Sequence, residues 1–221
     1  MIRKCIPPRV ATTPRQAFAS ALVAAGLLIG ATAHPAQVRA TDFKNTLSDA
    51  ALIDALKSGG YVIFIRHATT EKDYADQVSA VMGDCSTQRV LSEAGWQEAK
   101  DIGAAFTVHN IPIGAVYSSQ YCRAWQTADL AFGRYIQNAS LNFEPAEEYT
   151  EAQTAAMRDR MMPLLSKAPA EGFNTVVVGH DDPFEAATGI YPDPMGVTFV
   201  LKPDGQGAFR IIAKVEPDGW F

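Results

Sequence analysis

Residues 61–70, YVIFIRHATT, decide the fold. Tyr61 to Ile65 is a short apolar run with no polar face, which suits a strand covered on both sides in a parallel sheet. Arg66 and His67 follow directly, and Thr69 and Thr70 add two hydroxyls to the same loop. Chemistry therefore gathers at the carboxyl end of a buried strand, where open α/β sheets place their ligand crevices. TVVVGH, residues 175–180, repeats the pattern: a β-branched run ends in His180, and Gly179 lets the backbone turn tightly or approach a ligand. Between the two, IGAVYSS at 113–119 reads as a short strand, and YCRAWQTADLAF resumes helical spacing at once. That junction puts Arg123 in or near a first helical turn, where free N–H groups and the positive dipole end favour an anion.

Working outward, 47–60 reads as an amphipathic helix capped by Ser48 or Asp49 and stopped by Gly59-Gly60. Residues 71–90 are polar without a clean period, a loop with at most a helical turn, from which Arg89 could reach a bound anion. A helix follows with Ser92 as cap, its stripe running Trp96, Ala99, Ile102, Gly103, Phe106 and its end at Asn110, with His109 as a capping or surface residue. Residues 141–143 read as a brief strand, and an acidic loop leads into a helix starting near Thr150 or Thr154, which Pro163 should kink or shorten. Met157, Met161 and Met162 on it are core filling. DDPFEAATG after His180 reads as a loop with a short helical turn, and Pro-Asp-Gly-Gln-Gly between two apolar runs near the C-terminus signals an antiparallel hairpin at a sheet edge. The fold class is α/β: a three-layer, mostly parallel sheet with helices on both faces and that hairpin at the end.

The 221 residues fit one domain preceded by an address. Residues 1–40 hold five basic and no acidic side chains, an apolar stretch from Ala17 to Ala33, and small-residue exits at Ala31-Thr32-Ala33 and Val38-Arg39-Ala40, the order of a secretory signal. Cleavage is expected after Ala40, with Ala33 as the second choice, leaving a domain at 41–221 that is periplasmic or secreted without stable membrane association. The mature chain keeps 14 of the 19 basic residues and all 24 acidic ones, a charge of −10, which disfavours nucleic acid and anionic membrane as partners. An anionic substrate then needs a local cationic pocket. Cys5 leaves with the signal, so Cys85 and Cys122 are either a disulfide, which an export compartment permits, or two buried thiols.

Two histidines and two arginines at strand ends and a helix start make such a pocket for a phosphate dianion. A metal site is disfavoured, because arginine neighbours repel a cation and no Cys or HxH spacing accompanies the histidines. RHATT after a strand, LSEAGWQEA opening a helix, SSQYCRAWQTA, and GH after a second strand together resemble the successive motifs of the histidine phosphatase superfamily, with its phosphoglycerate mutase-like fold. The resemblance spans about residues 60–185. It implies that His67 accepts the phosphoryl group while Arg66, Arg123 and His180 hold its oxygens, joined by Arg89 and Thr70 as phosphate-binding candidates, with no metal or other cofactor. It implies a phosphatase acting on a small phosphomonoester or a phosphoprotein, the alternative being a phosphate-binding module of weak or no activity. RHA stands where the family has RHG, and SSQ where SSP is commoner. The proton donor stays open between Glu147 or Glu148 in PAEEYTE and Asp181 in GHDDP.

Overall fold

The structure, a computed structural model, describes residues 38–39, 43–71, 76 and 78–220. Apart from the backbone of 38–39, the expected signal segment lies outside the described residues. Among the described residues eight strands are formed: β1 (Val38–Arg39), β2 (Val62–Arg66), β3 (Ile113–Ser118), β4 (Ile136–Gln137), β5 (Asn174–Gly179), β6 (Ile190–Tyr191), β7 (Thr198–Pro203) and β8 (Phe209–Val215). The described residues also form the helices α1 (Asp49–Ser58), α2 (Glu93–Val108), α3 (Cys122–Phe132), α4 (Glu151–Ser166) and α5 (Asp181–Thr188). The main sheet has the order β4-β3-β5-β2-β7-β8, with β1 and β6 pairing separately. The first four strands run parallel, and β7 and β8 form the expected antiparallel hairpin on the far side of β2.

Strand alternation divides the core between the two faces. Ile63, Ile65, Val176 and Val178 pack with Leu52 and Leu56 of α1, Ile102 and Phe106 of α2, and Ala124 and Ala128 of α3. Val62, Phe64 and Val177 point the other way, onto Met161 and Leu165 of α4 and Phe184 of α5. Phe64 and Phe184 stack at 4.1 Å between centroids. Every residue of β2 is buried, as a central strand covered by helices on both faces requires. Among the described residues no helix is long and apolar enough to cross a membrane.

Three expectations need correction. Trp96 is 45% exposed; the buried stripe of α2 starts from Gly95, because Thr69's carbonyl rests where a Cβ would stand, 1.9 Å away. Residues 139–141 form a 3₁₀ turn rather than a strand at 141–143, and the short strand is β4. Side chains replace a ladder there: Asn138 accepts from the Ser140 N–H, and Asn142 Oδ1 from the Ser119 hydroxyl and Gln120 N–H. As expected, helix α4 starts at one of the two threonines, from a Thr150 capping box, and continues past Pro163 to Ser166, with Leu165 fully buried on the sheet. DDPFEAAT is a full helix, α5: Pro183 sits in the first turn, where a missing N–H costs no helical bond, and Gly189 ends it at φ 73°. Of the methionines, Met157 and Met161 are buried and Met162 is partly exposed.

Candidate active site

The parallel register brings the chemistry together. Arg66 lies opposite Gly179 and Ser118 opposite Val178, so the residues that leave β2, β3 and β5 sit side by side. The ladder extends one step beyond the strands: the N–H of His67 donates to the Gly179 carbonyl and that of Ser119 to the Val178 carbonyl, both at 3.0 Å. His67 and His180 emerge with ring centroids 5.4 Å apart, both fully buried.

His67 has distinct partners at its two nitrogens. Nδ1 lies 2.9 Å from the carbonyl of Ala68, an oxygen that can only accept, so Nδ1 carries the proton. Nε2 accepts from Arg123 Nε at 3.2 Å, which leaves its lone pair directed at a cation rather than spent on a proton. Burial, then the charge of Arg123, holds the imidazole well below its usual range, with smaller contributions from Arg66 and Arg89. His180 is lowered by the same causes, burial first and Arg123 second. Its Nε2 lies 2.8 Å from Ser119 Oγ, while its buried Nδ1 has no partner. Tyr121 and Phe143 wall this ring edge-on at 5.2 and 4.8 Å and also lie beneath the Arg123 guanidinium.

Arg66 donates from NH2 to Asp181 Oδ2 at 2.6 Å and from NH1 to the Pro192 carbonyl at 3.0 Å, leaving its buried Nε without a partner. Arg123 is anchored by Asp76 Oδ2 at 2.8 Å, both side chains nearly inaccessible. The Cys122 N–H at the start of α3 is taken by Gln88 Oε1, so one of the helix-start donors expected to face an anion is already occupied. Arg89 donates its own N–H to Asp76, and its charge acts on both histidines. Thr70 is bridged to Leu91, with its hydroxyl toward Met195 Sδ. Glu147 and Glu148 are exposed, whereas the next residue, Tyr149, donates to Asp182 Oδ2 at 2.9 Å.

Sequence reasoning missed Asp76, Ser119 and Thr127. Thr127 lies one helical turn after Arg123: its hydroxyl donates to the Arg123 carbonyl and accepts the Ala68 N–H, tying α3 to the loop after His67. Its spacing from Arg123 was the available signal. Cys85 and Cys122 form a disulfide, Cα atoms 5.7 Å apart, joining the 71–90 loop to the helix that carries Arg123. Ala68 has no positive φ and is fully buried against Leu91 and Ala99, so the backbone here does not demand the glycine it replaces.

Chemically, the arrangement offers a neutral nitrogen nucleophile, two guanidinium groups and an unpaired buried N–H at Arg66 Nε. An anion with several oxygens satisfies it.

Residues 62–140 match the sequence model of the histidine phosphatase superfamily (branch 1). No curated protein matches the chain. Among solved structures, an Escherichia coli protein provisionally named an alpha-ribazole-5'-P phosphatase superposes with a TM-score of 0.54 at 15% identity, over 73% of this chain and 99% of its own. A phosphoserine phosphatase from Entamoeba histolytica, solved with phosphoserine, gives 0.50 at 15% identity over 73% and 99%. A mycobacterial glucosyl-3-phosphoglycerate phosphatase bound to VO3 gives 0.50 at 16% identity over 69% and 97%. At these identities the structural likeness is one of fold. By sequence across residues 62–140 and by architecture across its six-stranded sheet, the chain is similar to the histidine phosphatase superfamily and has the phosphoglycerate mutase-like fold.

Proposed function

We propose that the chain is an exported phosphatase that hydrolyses a phosphomonoester, on a small molecule or a protein, through a phosphohistidine at His67 and without a metal. The observation that carries this reading is the state of His67: Nδ1–H committed to a carbonyl, Nε2 unprotonated and facing Arg123. In-line attack needs that lone pair. Arg66 Nε and Arg123 take the equatorial oxygens, and His180 Nδ1 donates to a third, either as imidazolium or with the Ser119 hydroxyl turned to donate to Nε2. Positive groups fixed where charge spreads in the transition state are the main catalytic device for phosphoryl transfer. Arg89 adds long-range charge, and Asp181 and Asp76 orient the two arginines. Thr70 lines the loop behind the nucleophile.

The binding-only alternative rested on Ala68 and on the unassigned proton donor; Ala68 lies outside the left-handed region, which leaves the donor as its support. The names of the fold neighbours span sugar and amino-acid phosphates, so the fold does not select the substrate.

The test is a purified chain with a radiolabelled phosphomonoester and an acid-sensitive quench. Wild type should yield an acid-labile, base-stable labelled protein, and His67→Ala should yield neither label nor turnover. Turnover by His67→Ala would refute the covalent reading.

A further inference from the structure

The Ser119 hydroxyl makes three contacts and carries one proton. Its Oγ accepts the Tyr121 N–H at 3.2 Å, lies 2.9 Å from Asn142 Oδ1 and lies 2.8 Å from His180 Nε2. Asn142 decides where that proton points. Its Oδ1 accepts the Gln120 N–H at 3.0 Å, a backbone group that can only donate, and its Nδ2 donates to Gln120 Oε1 at 2.9 Å, so the amide has one orientation. An oxygen that only accepts, 2.9 Å from Oγ, requires the hydroxyl proton between them. The contact with His180 is then made by a proton on Nε2. Asn142 is itself held at the end of the 3₁₀ turn: its N–H donates to the Ala139 carbonyl, and its own carbonyl accepts from Arg160 of α4.

Neutral His180 is therefore the Nε2–H tautomer, the opposite of His67, and its buried Nδ1 is a bare lone pair with no partner among the described residues. Such a nitrogen meets an ionised phosphate oxygen lone pair to lone pair. It becomes a donor only by gaining a proton, because turning the Ser119 hydroxyl toward Nε2 would leave Oγ and Asn142 Oδ1 in contact with no proton between them. We propose that Asn142, acting through Ser119, is a positioning residue that fixes this tautomer, so that the pocket takes a phosphoryl group together with one proton, held between His180 Nδ1 and a phosphate oxygen; this rests on the phosphohistidine reading above. The ligand class is the monoanion of a phosphomonoester. Its acidic proton passes to Nδ1 on binding, so that neutral imidazole becomes imidazolium and the bound ester becomes the dianion.

The charges around the ring explain why the proton arrives with the ligand. Arg123, His67, Arg89 and Arg66 all act on His180, and burial, then Arg123, holds the imidazole well below its usual range. Tyr121, which walls the ring, is pushed up to about 12 by burial and stays neutral. On the helix that follows, Asp181 is paired with Arg66 and Asp182 takes the Tyr149 hydroxyl. A bound phosphate offsets the guanidinium charges and favours the imidazolium.

Isotope-labelled histidine, read by NMR, tests the tautomer in the wild type. The ring nitrogens that vanish in His180→Ala should show a protonated Nε2 and a bare Nδ1, and inorganic phosphate should protonate that Nδ1. Titration calorimetry with inorganic phosphate, at a pH where it is the dianion and in buffers of different ionisation enthalpy, should show uptake of about one proton per phosphate. Asn142→Leu frees the hydroxyl to turn toward Nε2, so the tautomer should reverse and the uptake should fall well below one. Wild-type kcat/KM should fall about tenfold per pH unit above the second ionisation of a phosphomonoester, at about pH 6, and Asn142→Leu should flatten that limb. An Asn142 that only supports the fold would lower kcat/KM by one factor at every pH and leave the tautomer alone. If Asn142→Leu does not fold, the wild-type measurements still decide. A bare Nε2 on His180, phosphate bound without proton uptake, or an uptake that Asn142→Leu leaves unchanged overturns this proposal alone when wild type forms a phosphoenzyme. Absence of both phosphate binding and a phosphoenzyme in wild type overturns the underlying reading, and this proposal with it.

Discussion

At the scale of single residues, Asp76 is the point at which the site is most easily broken. It is buried, and its Oδ2 receives both Arg123 NH1 and the Arg89 N–H. Removing one partner of a buried ion pair leaves the other uncompensated, a loss of about 3–5 kcal/mol. Asp76→Ala should therefore lower the urea midpoint strongly and activity with it, while Asp76→Asn, which can still accept both donors, should lose less stability. Equal midpoints for Asp76→Ala and wild type would show that Arg123 finds another anchor. The histidines make a second prediction. Both imidazoles are lowered in the folded chain, so below about pH 6.5 the unfolded chain binds protons that the folded chain does not. Folding stability should therefore fall as pH drops through that window, and His180→Ala should flatten the fall; an unchanged slope would place its origin in other groups. His67, His180, Arg66 and Arg123 were legible because each ends a run of strand or opens a helix. Asp76 was not. It sits in a polar stretch 47 residues from the arginine it holds, and nothing local marks one aspartate there as buried.

At the scale of elements, the junction of α2 with the loop after His67 is set by backbone contact. Both the N–H and the hydroxyl of Ser92 donate to the Thr69 carbonyl, and Gly95 leaves that carbonyl room. A Cβ at 95 would stand 1.9 Å from the Thr69 oxygen, so Gly95→Ala must displace the loop that follows His67. The expected result is a large drop in kcat with a modest loss of secondary structure, read by kinetics and circular dichroism on one sample. Undiminished kcat would mean the helix start shifts instead. The disulfide acts on the opposite side of the pocket. Closing 37 residues, it restricts the unfolded chain by about 4 kcal/mol on the loop-entropy estimate. Periodicity made the central strands and long helices legible, since their burial is continuous or one-faced. It failed at 139–143, where Asn side chains supply the hydrogen bonds of a turn, and at α5, whose Pro183 reads as a breaker until its place in the first turn is known.

At the scale of the whole molecule, the expected mature domain engages the sheet close to its own start. Phe43 packs edge-on against Phe199 at 6.0 Å, and the Thr46 N–H and hydroxyl both donate to the Ile212 carbonyl, so the chain is tied to the hairpin almost as soon as the expected mature domain begins. All six strands of the main sheet, both histidines and the disulfide lie downstream of that tie. Upstream, β1 contributes two residues paired with two of β6. Cleavage after Ala40 removes this pairing and cleavage after Ala33 keeps it. A disulfide is favoured in an oxidising compartment, in keeping with the secretory-signal order of basic, apolar and small residues expected of residues 1–40. The expectation is that a full chain expressed in a bacterium that exports it is recovered from the periplasm with Thr41 as its first residue, by intact mass, and with no free thiol when denatured without reductant. A purified chain beginning at Thr41 should match one beginning at His34 in turnover, and in unfolding free energy to within about 1 kcal/mol, because an isolated two-stranded pairing is marginal in water. A recovered mass that includes residues 1–40 would refute the export reading. A Thr41 chain that unfolds much earlier than the His34 chain would show instead that β1 belongs to the mature fold and that processing stops at Ala33.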